Sequence, residues 1–267
     1  MSISTSPTKN SRERLREYWL LIRGRVELRL LIGILLIGMG LWLFVELADE
    51  VIEGDTISID EAILLALRNP ADPTDPLGPP WLEELGRDYT ALGGVGVVGL
   101  VTGVICLYMA LARRWDTIML IVIVFAGSIL LNQLLKSTFD RPRPDLVPHG
   151  MVVYFASFPS GHAMLSASIY LTLGALLARM QQKRFQIILI MGTAIFVTVL
   201  VGISRVYLAV HWPSDVLAGW TAGSIWATVC WLTGWKLRQY RRPNHSVAAA
   251  ENTEKTLTQT EQQEEKA

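Results

Sequence analysis

Six stretches of this chain run for about the length of a bilayer crossing without an Asp, Glu, Lys or Arg, or lose that purity only at one end. They cover residues 30–48, 89–112, 117–135, 163–178, 185–204 and 216–235. None has a polar face, and a helix that is apolar all round must lie against lipid or deep inside a bundle. Of the 267 residues 51% are hydrophobic, so most of that apolar material is used in the spans and little is left for a separate soluble core. The sequence therefore predicts an all-α fold, a six-transmembrane-helix bundle over residues 30–236.

The formal net charge is zero, which removes any general case for nucleic acid as a partner, but the basic residues are unevenly placed. Lys9, Arg12, Arg14, Arg16, Arg23, Arg25 and Arg29 precede the first stretch, and Arg113 and Arg114 separate the second from the third. Arg179, Lys183 and Arg184 lie between the fourth and fifth, and Lys236, Arg238, Arg241 and Arg242 follow the sixth. All these regions fall on one side of a six-span topology. The positive-inside rule makes that side cytoplasmic, with both termini inside and the opposite loops facing outward.

The flanking segments read more simply. Residues 1–29 interleave Tyr18, Trp19, Leu20, Leu21 and Ile22 with arginines, a pattern for the membrane surface or for a helix extension. The outer segment, residues 49–88, is acidic and carries five prolines. Ser58 and Glu61 stand at capping-box spacing ahead of a short apolar helix over residues 59–67 that Pro70 ends, and Pro80 suits the first position of a second. These two interfacial helices read either as a lateral cover over a site or as a connector. Residues 243–267 lack apolar periodicity and read as a disordered cytoplasmic tail. The two cysteines, Cys106 and Cys230, fall inside apolar stretches, and no Cys/His spacing suggests a metal.

Chemistry gathers at three outward helix ends. Lys136 to Pro144 (KSTFDRPRP) follows the third stretch, Pro159-Ser160-Gly161-His162 opens the fourth, and Ser204 to Asp215 (SRVYLAVHWPSD) links the last two. Lys136, Arg143 and Arg205 would place three cations at one depth, where their repulsion is costly unless an anion compensates it. Phosphate suits that role, since arginine forks match two phosphate oxygens and lysine supplies a point charge. Snorkelling to headgroups accounts for Arg141. Ser160 as a cap and Gly161 as a place for close backbone approach would present free N–H groups to an anion, although a Pro-Ser-Gly turn alone is ordinary punctuation.

Of the four histidines, only His162 and His211 lie in these segments; His149 and His245 read as loop and tail residues. Asp215 follows His211 by four residues, with Pro213 opening a helix between them, so its carboxylate can reach back to fix the imidazole tautomer. The other ring nitrogen is then available to attack phosphorus, and His162 is left to protonate the leaving group and deprotonate water. Asn132, one turn before Lys136, either orients that lysine or bonds another helix.

The pattern Lys-x6-Arg-Pro, Pro-Ser-Gly-His, Ser-Arg-x5-His-x3-Asp resembles the type 2 phosphatidic acid phosphatase superfamily, complete and in order from Lys136 to Asp215. The resemblance implies His211 as nucleophile, Asp215 as its partner and His162 as acid and base. It implies Lys136, Arg143, Ser160, Gly161 and Arg205 as the phosphate pocket, with no metal and no cofactor. Members act on phosphatidic acid, diacylglycerol pyrophosphate, phosphatidylglycerophosphate or undecaprenyl pyrophosphate, so the expected partners are a lipid phosphate and the bilayer. The expected location is a bacterial plasma membrane, with the site on its outer face. Two competing readings keep the pocket: a phosphotransferase or vanadate haloperoxidase, and a non-enzymatic phospholipid-binding or transport protein. Transport would favour helices broken at mid-membrane, and it has no use for a His/Asp pair.

Overall fold

The computed structural model describes residues 28–144 and 156–240. The expectations for the N-terminal segment before Leu28, the tail after Tyr240, and His149 lie outside them. In order, the described elements are α1 (Leu28–Glu53), α2 (Ile57–Ala66), a two-stranded antiparallel hairpin of β1 (Arg68–Asn69) and β2 (Asp72–Pro76), α3 (Pro80–Ala91), α4 (Val95–Leu111), α5 (Trp115–Phe139), α6 (Gly161–Ala178), α7 (Arg184–Tyr207) and α8 (Pro213–Tyr240). Helices α1, α5, α6, α7 and α8 are each long and apolar enough to cross a bilayer. The protein is an integral membrane protein, all-α apart from the small hairpin.

The second span differs from the single helix expected over residues 89–112. It is a bent pair, α3 and α4, meeting at 50° across Leu92–Gly94. The break coincides with a close approach at a glycine: a Cβ on Gly93 would lie 2.4 Å from Val201 and 3.1 Å from the backbone oxygen of His162. The carbonyl of Leu92, near the end of α3, accepts the Tyr170 hydroxyl at 2.7 Å, so it is not left unsatisfied. The break sits level with the start of α6, where the charged residues lie, so it does not revive the transport reading.

Helix α6 is the axis of the bundle. It packs most extensively on α7 and α8, and α8 in turn carries α1 on its other side. Its sequence, GHAMLSASIYLTLGALLA, alternates small and large residues, and small residues are what let helix backbones approach where lipid removes any hydrophobic drive between them. The closest approach is at Gly219 and Gly223 of α8; a Cβ on Gly219 would stand 2.6 Å from the Ser160 carbonyl oxygen. The hydroxyls of Ser166, Ser168 and Thr172 bond backbone carbonyls inside this contact, so these three polar groups are satisfied within the bundle. Val98, Ile121, Val124, Leu165 and Ile169 form the main apolar core between α4, α5 and α6.

Two local expectations for the outer segment change. The Ser58/Glu61 capping box does not form, because α2 starts at Ile57 with Thr56 as N-cap and no side-chain cap bond. The Thr56 hydroxyl instead accepts from Arg141 Nη2 at 3.2 Å. Helix α2 is also more than a connector: Asp60 and Leu64 are buried against the region where α8 begins, with Leu64 packed on Ala209 and Trp212. The start of α3 at Pro80, with proline at its first position, is as the sequence predicts.

Candidate active site

The three polar segments converge at one end of the bundle. Helix α5 ends in a left-handed residue, Asp140 (φ 39°), which turns the chain so that Arg141 and Arg143 point back over the bundle. The segment leading into α6 is pinned by Phe158, fully buried, whose ring packs on Phe139 at 4.9 Å and Phe44 at 5.9 Å. Helix α6 then starts at Gly161, and its first turn carries His162. Ser160 N–H donates to the Asp215 carbonyl at 2.9 Å, tying the start of α6 to the start of α8.

Between these segments lies a cavity of about 720 Å³ whose lining includes Lys136, Arg143, Gly161, His162, Arg205 and His211. The predicted residues are thus brought together, apart from two that stand behind the wall. Asp215 is fully buried and reaches the cavity only through His211. Ser160 occupies the N-cap position of α6 but makes no capping bond, and its buried hydroxyl has no hydrogen-bond partner. Ser160 was expected to cap the helix with its side chain; instead its backbone N–H is taken by Asp215, leaving the hydroxyl uncommitted.

His211 sits in the loop between α7 and α8, 2% exposed. Its Nδ1 lies 3.3 Å from Asp215 Oδ2 and its Nε2 lies 3.3 Å from Arg143 Nη1. The guanidinium can only donate and the carboxylate can only accept, so both neighbours require the tautomer with hydrogen on Nδ1 and the lone pair on Nε2. Burial, then the charges of Arg205, Arg143 and Lys136, hold the His211 pKa well below its ordinary value, so the ring is neutral at pH 7. Burial also lowers the Arg143 pKa from its ordinary value.

The cations are positioned by backbone and hydroxyl acceptors. Lys136 Nζ donates to the Ala156 carbonyl at 2.7 Å, Arg143 Nη1 to the Val210 carbonyl at 2.7 Å, and Arg205 Nη1 to Thr90 Oγ1 at 2.9 Å. Arg205 Nε is buried with no hydrogen-bond partner. An orphaned guanidinium N–H beside a cationic cavity and an uncapped helix start is what an oxyanion would satisfy. Asn132 takes the second of its two expected roles: its amide donates to Met164 Sδ of α6 at 3.7 Å, and to the Pro159 carbonyl just before that helix at 3.3 Å, rather than orienting Lys136.

Three residues around Asp215 escaped the sequence reading. Ser157 donates its hydroxyl to Asp215 Oδ2 and lies 3.3 Å from His211 Nδ1. Arg141, expected to snorkel toward headgroups, is 8% exposed and donates to Asp215 Oδ1 at 2.8 Å and Asp60 Oδ2 at 2.9 Å. The physical reason is the turn at Asp140, which aims Arg141 inward where two carboxylates compensate its desolvation. The third, Asp60, comes from α2, remote in sequence. Nothing in the sequence sets it apart from its neighbour Glu61.

A membrane bundle that closes a cationic, histidine-bearing cavity at one end of its spans has the construction of an integral-membrane phosphatase. Residues 116–239 match the model of the PAP2 superfamily. The chain is 36% identical to phosphatidylglycerophosphatase B of Bacillus subtilis over 149 residues, 54% of this chain and 71% of that protein. It is 30% identical over 151 residues to an undecaprenyl-diphosphatase of Sulfolobus acidocaldarius, spanning 54% of this chain and 63% of that one. The crystal structure of a transmembrane PAP2 type phosphatidylglycerolphosphate phosphatase from Bacillus subtilis superposes with a TM-score of 0.67 at 31% identity, covering 77% of this chain and 98% of that chain. This chain belongs to the PAP2 superfamily and is a membrane lipid phosphatase.

Proposed function

We propose that this protein hydrolyses a lipid phosphate or pyrophosphate through a phosphohistidine on His211, without a metal ion. The observation that carries the reading is the position of His211, held between Asp215 on Nδ1 and Arg143 on Nε2, on the wall of a cavity it shares with His162, Lys136 and Arg205. Nε2 attacks phosphorus, the bond from phosphorus to the leaving oxygen breaks, and protonated His162 gives that oxygen its proton. Asp215 stabilises the imidazolium character that His211 gains. Water then attacks the phosphohistidine, His162 takes its proton, and the P–N bond breaks to release inorganic phosphate. Arg143, Arg205, Lys136 and the N–H groups opening α6 hold the three non-bridging oxygens, with Ser160 and Gly161 shaping that end.

A cavity lined by fixed cations favours anions over metal cations, which supports the metal-free reading. The cavity also includes Val95, Ile129 and Leu165, apolar surface suited to the first methylenes of a lipid. Phosphatidic acid, phosphatidylglycerophosphate and polyprenyl pyrophosphate are the candidate substrates, the last two by analogy with the named relatives. Arg113, Arg114, Lys183 and Arg184 lie at the helix ends away from the cavity. That supports cytoplasmic termini and a site on the outer face of a bacterial plasma membrane.

Detergent-purified protein with chelator is expected to release phosphate from at least one of these lipids, and His211→Ala is expected to lose roughly 10³-fold or more. Turnover surviving in His211→Ala refutes the nucleophile. Activity that the chelator removes and Mg²⁺ restores refutes the metal-free reading.

A further inference from the structure

The carboxylate behind His211 does not stand alone. Asp215 Oδ2 faces His211 Nδ1, the Ser157 hydroxyl and the Trp212 N–H, the last at 3.0 Å. Asp215 Oδ1 accepts from Arg141 Nη1 at 2.8 Å, and Arg141 Nη2 reaches Asp60 Oδ2 at 2.9 Å. Asp60 is bound to the start of α8 as well: its Oδ1 accepts the Ser214 N–H at 2.9 Å and its Oδ2 the Ser214 hydroxyl at 2.5 Å. That hydroxyl also accepts from Arg141 Nη1 at 2.8 Å, and the guanidinium lies 5.6 Å from the centre of the Trp212 ring. Exposures of 2% for Asp60, 8% for Arg141 and 0% for Asp215 place the whole chain of contacts away from solvent.

We infer that Asp60, on the outer-segment helix α2, is a positioning residue for the reaction, acting on Asp215 and His211 through Arg141. The inference rests on the proposed role of His211 and extends it to a part of the chain outside the motifs. An arginine paired with Asp215 alone would neutralise the carboxylate that has to stabilise positive charge on His211. Asp60 takes a share of that cation, so the buried trio keeps one net negative charge and Asp215 Oδ2 remains an effective partner for the imidazole. The same contacts lock the backbone at Ser214, one residue before Asp215, to α2. The outer segment is thereby part of the catalytic support and not only a connector over it.

The test uses full-length protein in mixed micelles with phosphatidic acid, measuring kcat and KM from about pH 3 to pH 9, a range that reaches below the ordinary histidine value. Charged or titratable groups facing His211 are Asp215 and Arg143 at its edges, with Lys136, Arg205 and His162 around the shared cavity. Asp60 faces Arg141. Asp60→Asn removes one negative charge and leaves the field at His211 more positive. The expected result is a kcat lower by roughly tenfold with KM little changed, and an acidic limb moved down by about one pH unit. In the double variant Asp60→Asn/Arg141→Met the trio regains one net negative charge. The limb is expected to return toward wild type, while kcat stays reduced because Asp215 has lost its hold on Oδ1.

An Asp60→Asn profile that superimposes on the wild type, whatever its amplitude, overturns the inference, because a merely structural role lowers the active fraction without moving the limb. Should Asp60→Asn fail to fold, the double variant decides alone, and wild-type kcat in it overturns the inference. His211→Ala, run alongside, separates the two claims: activity surviving there removes the nucleophile assignment, whereas an unmoved limb removes only the role of Asp60.

Discussion

Replacing Gly223 by alanine places a methyl group where the structure has no room, far from any reacting atom. The new Cβ would lie 2.4 Å from the Met164 carbonyl oxygen, 3.1 Å from its carbonyl carbon and 2.9 Å from Ala167 Cβ. Two of these three neighbours are backbone of α6, which cannot rotate aside as a side-chain tip can. Ordinary contact begins at about 3.4 Å, so α6 and α8 must separate locally by about 1 Å. Overpacking of this size costs about 1–3 kcal/mol of stability. The consequence for turnover is larger, because α6 carries His162 and α8 begins two residues after His211 and carries Asp215. A displacement near 1 Å between such groups costs about 10²-fold in rate. Phosphate release from phosphatidic acid, measured with thermal unfolding in the same detergent, checks both numbers. Gly192→Ala provides the control, since a Cβ there meets nothing within 4 Å. Gly223→Ala with wild-type kcat and an unchanged melting temperature would refute the idea that this backbone contact sets the spacing of the site.

Two further outcomes follow from the same geometry. The His211 pKa is depressed in the folded protein, so stability linked to this group is full above the unfolded value of about 6.5 and declines as pH falls below it. The decline amounts to about 1.4 kcal/mol per pH unit until the folded value is reached. Melting at pH 7 and pH 5 is therefore expected to differ less in His211→Gln than in wild type, and equal differences would contradict the neutral buried imidazole. Ser157→Ala removes a buried hydroxyl that donates to the Asp215 carboxylate; a stability loss of about 2 kcal/mol and a fall in kcat of roughly tenfold are expected. Wild-type kinetics in that variant would show that Asp215 needs no help from Ser157 in holding His211.

Much of this protein is determined by local sequence. An uncharged apolar run of bilayer length has few folded alternatives to a helix, because only internal hydrogen bonding satisfies its backbone in lipid. That is why the helices corresponding to α1, α5, α6, α7 and α8 were legible. Spacing alone also places Asp215 one helical turn from His211, and three motifs at the ends of successive spans converge once the helices alternate direction. What lay beyond the sequence concerns residues whose partners are far along the chain. The break at Leu92–Gly94 lies where Val201 and His162 leave no room for a side chain at Gly93, and hydropathy registers composition without registering contact. Arg141 reads as a headgroup ligand until the turn at Asp140 points it inward, and Asp60 reads as one acidic residue among many in an acidic segment. Burial of a charge is decided by whether an opposite charge arrives at the same place, and only the packing of α2 on α8 brings Asp60, Arg141 and Asp215 together.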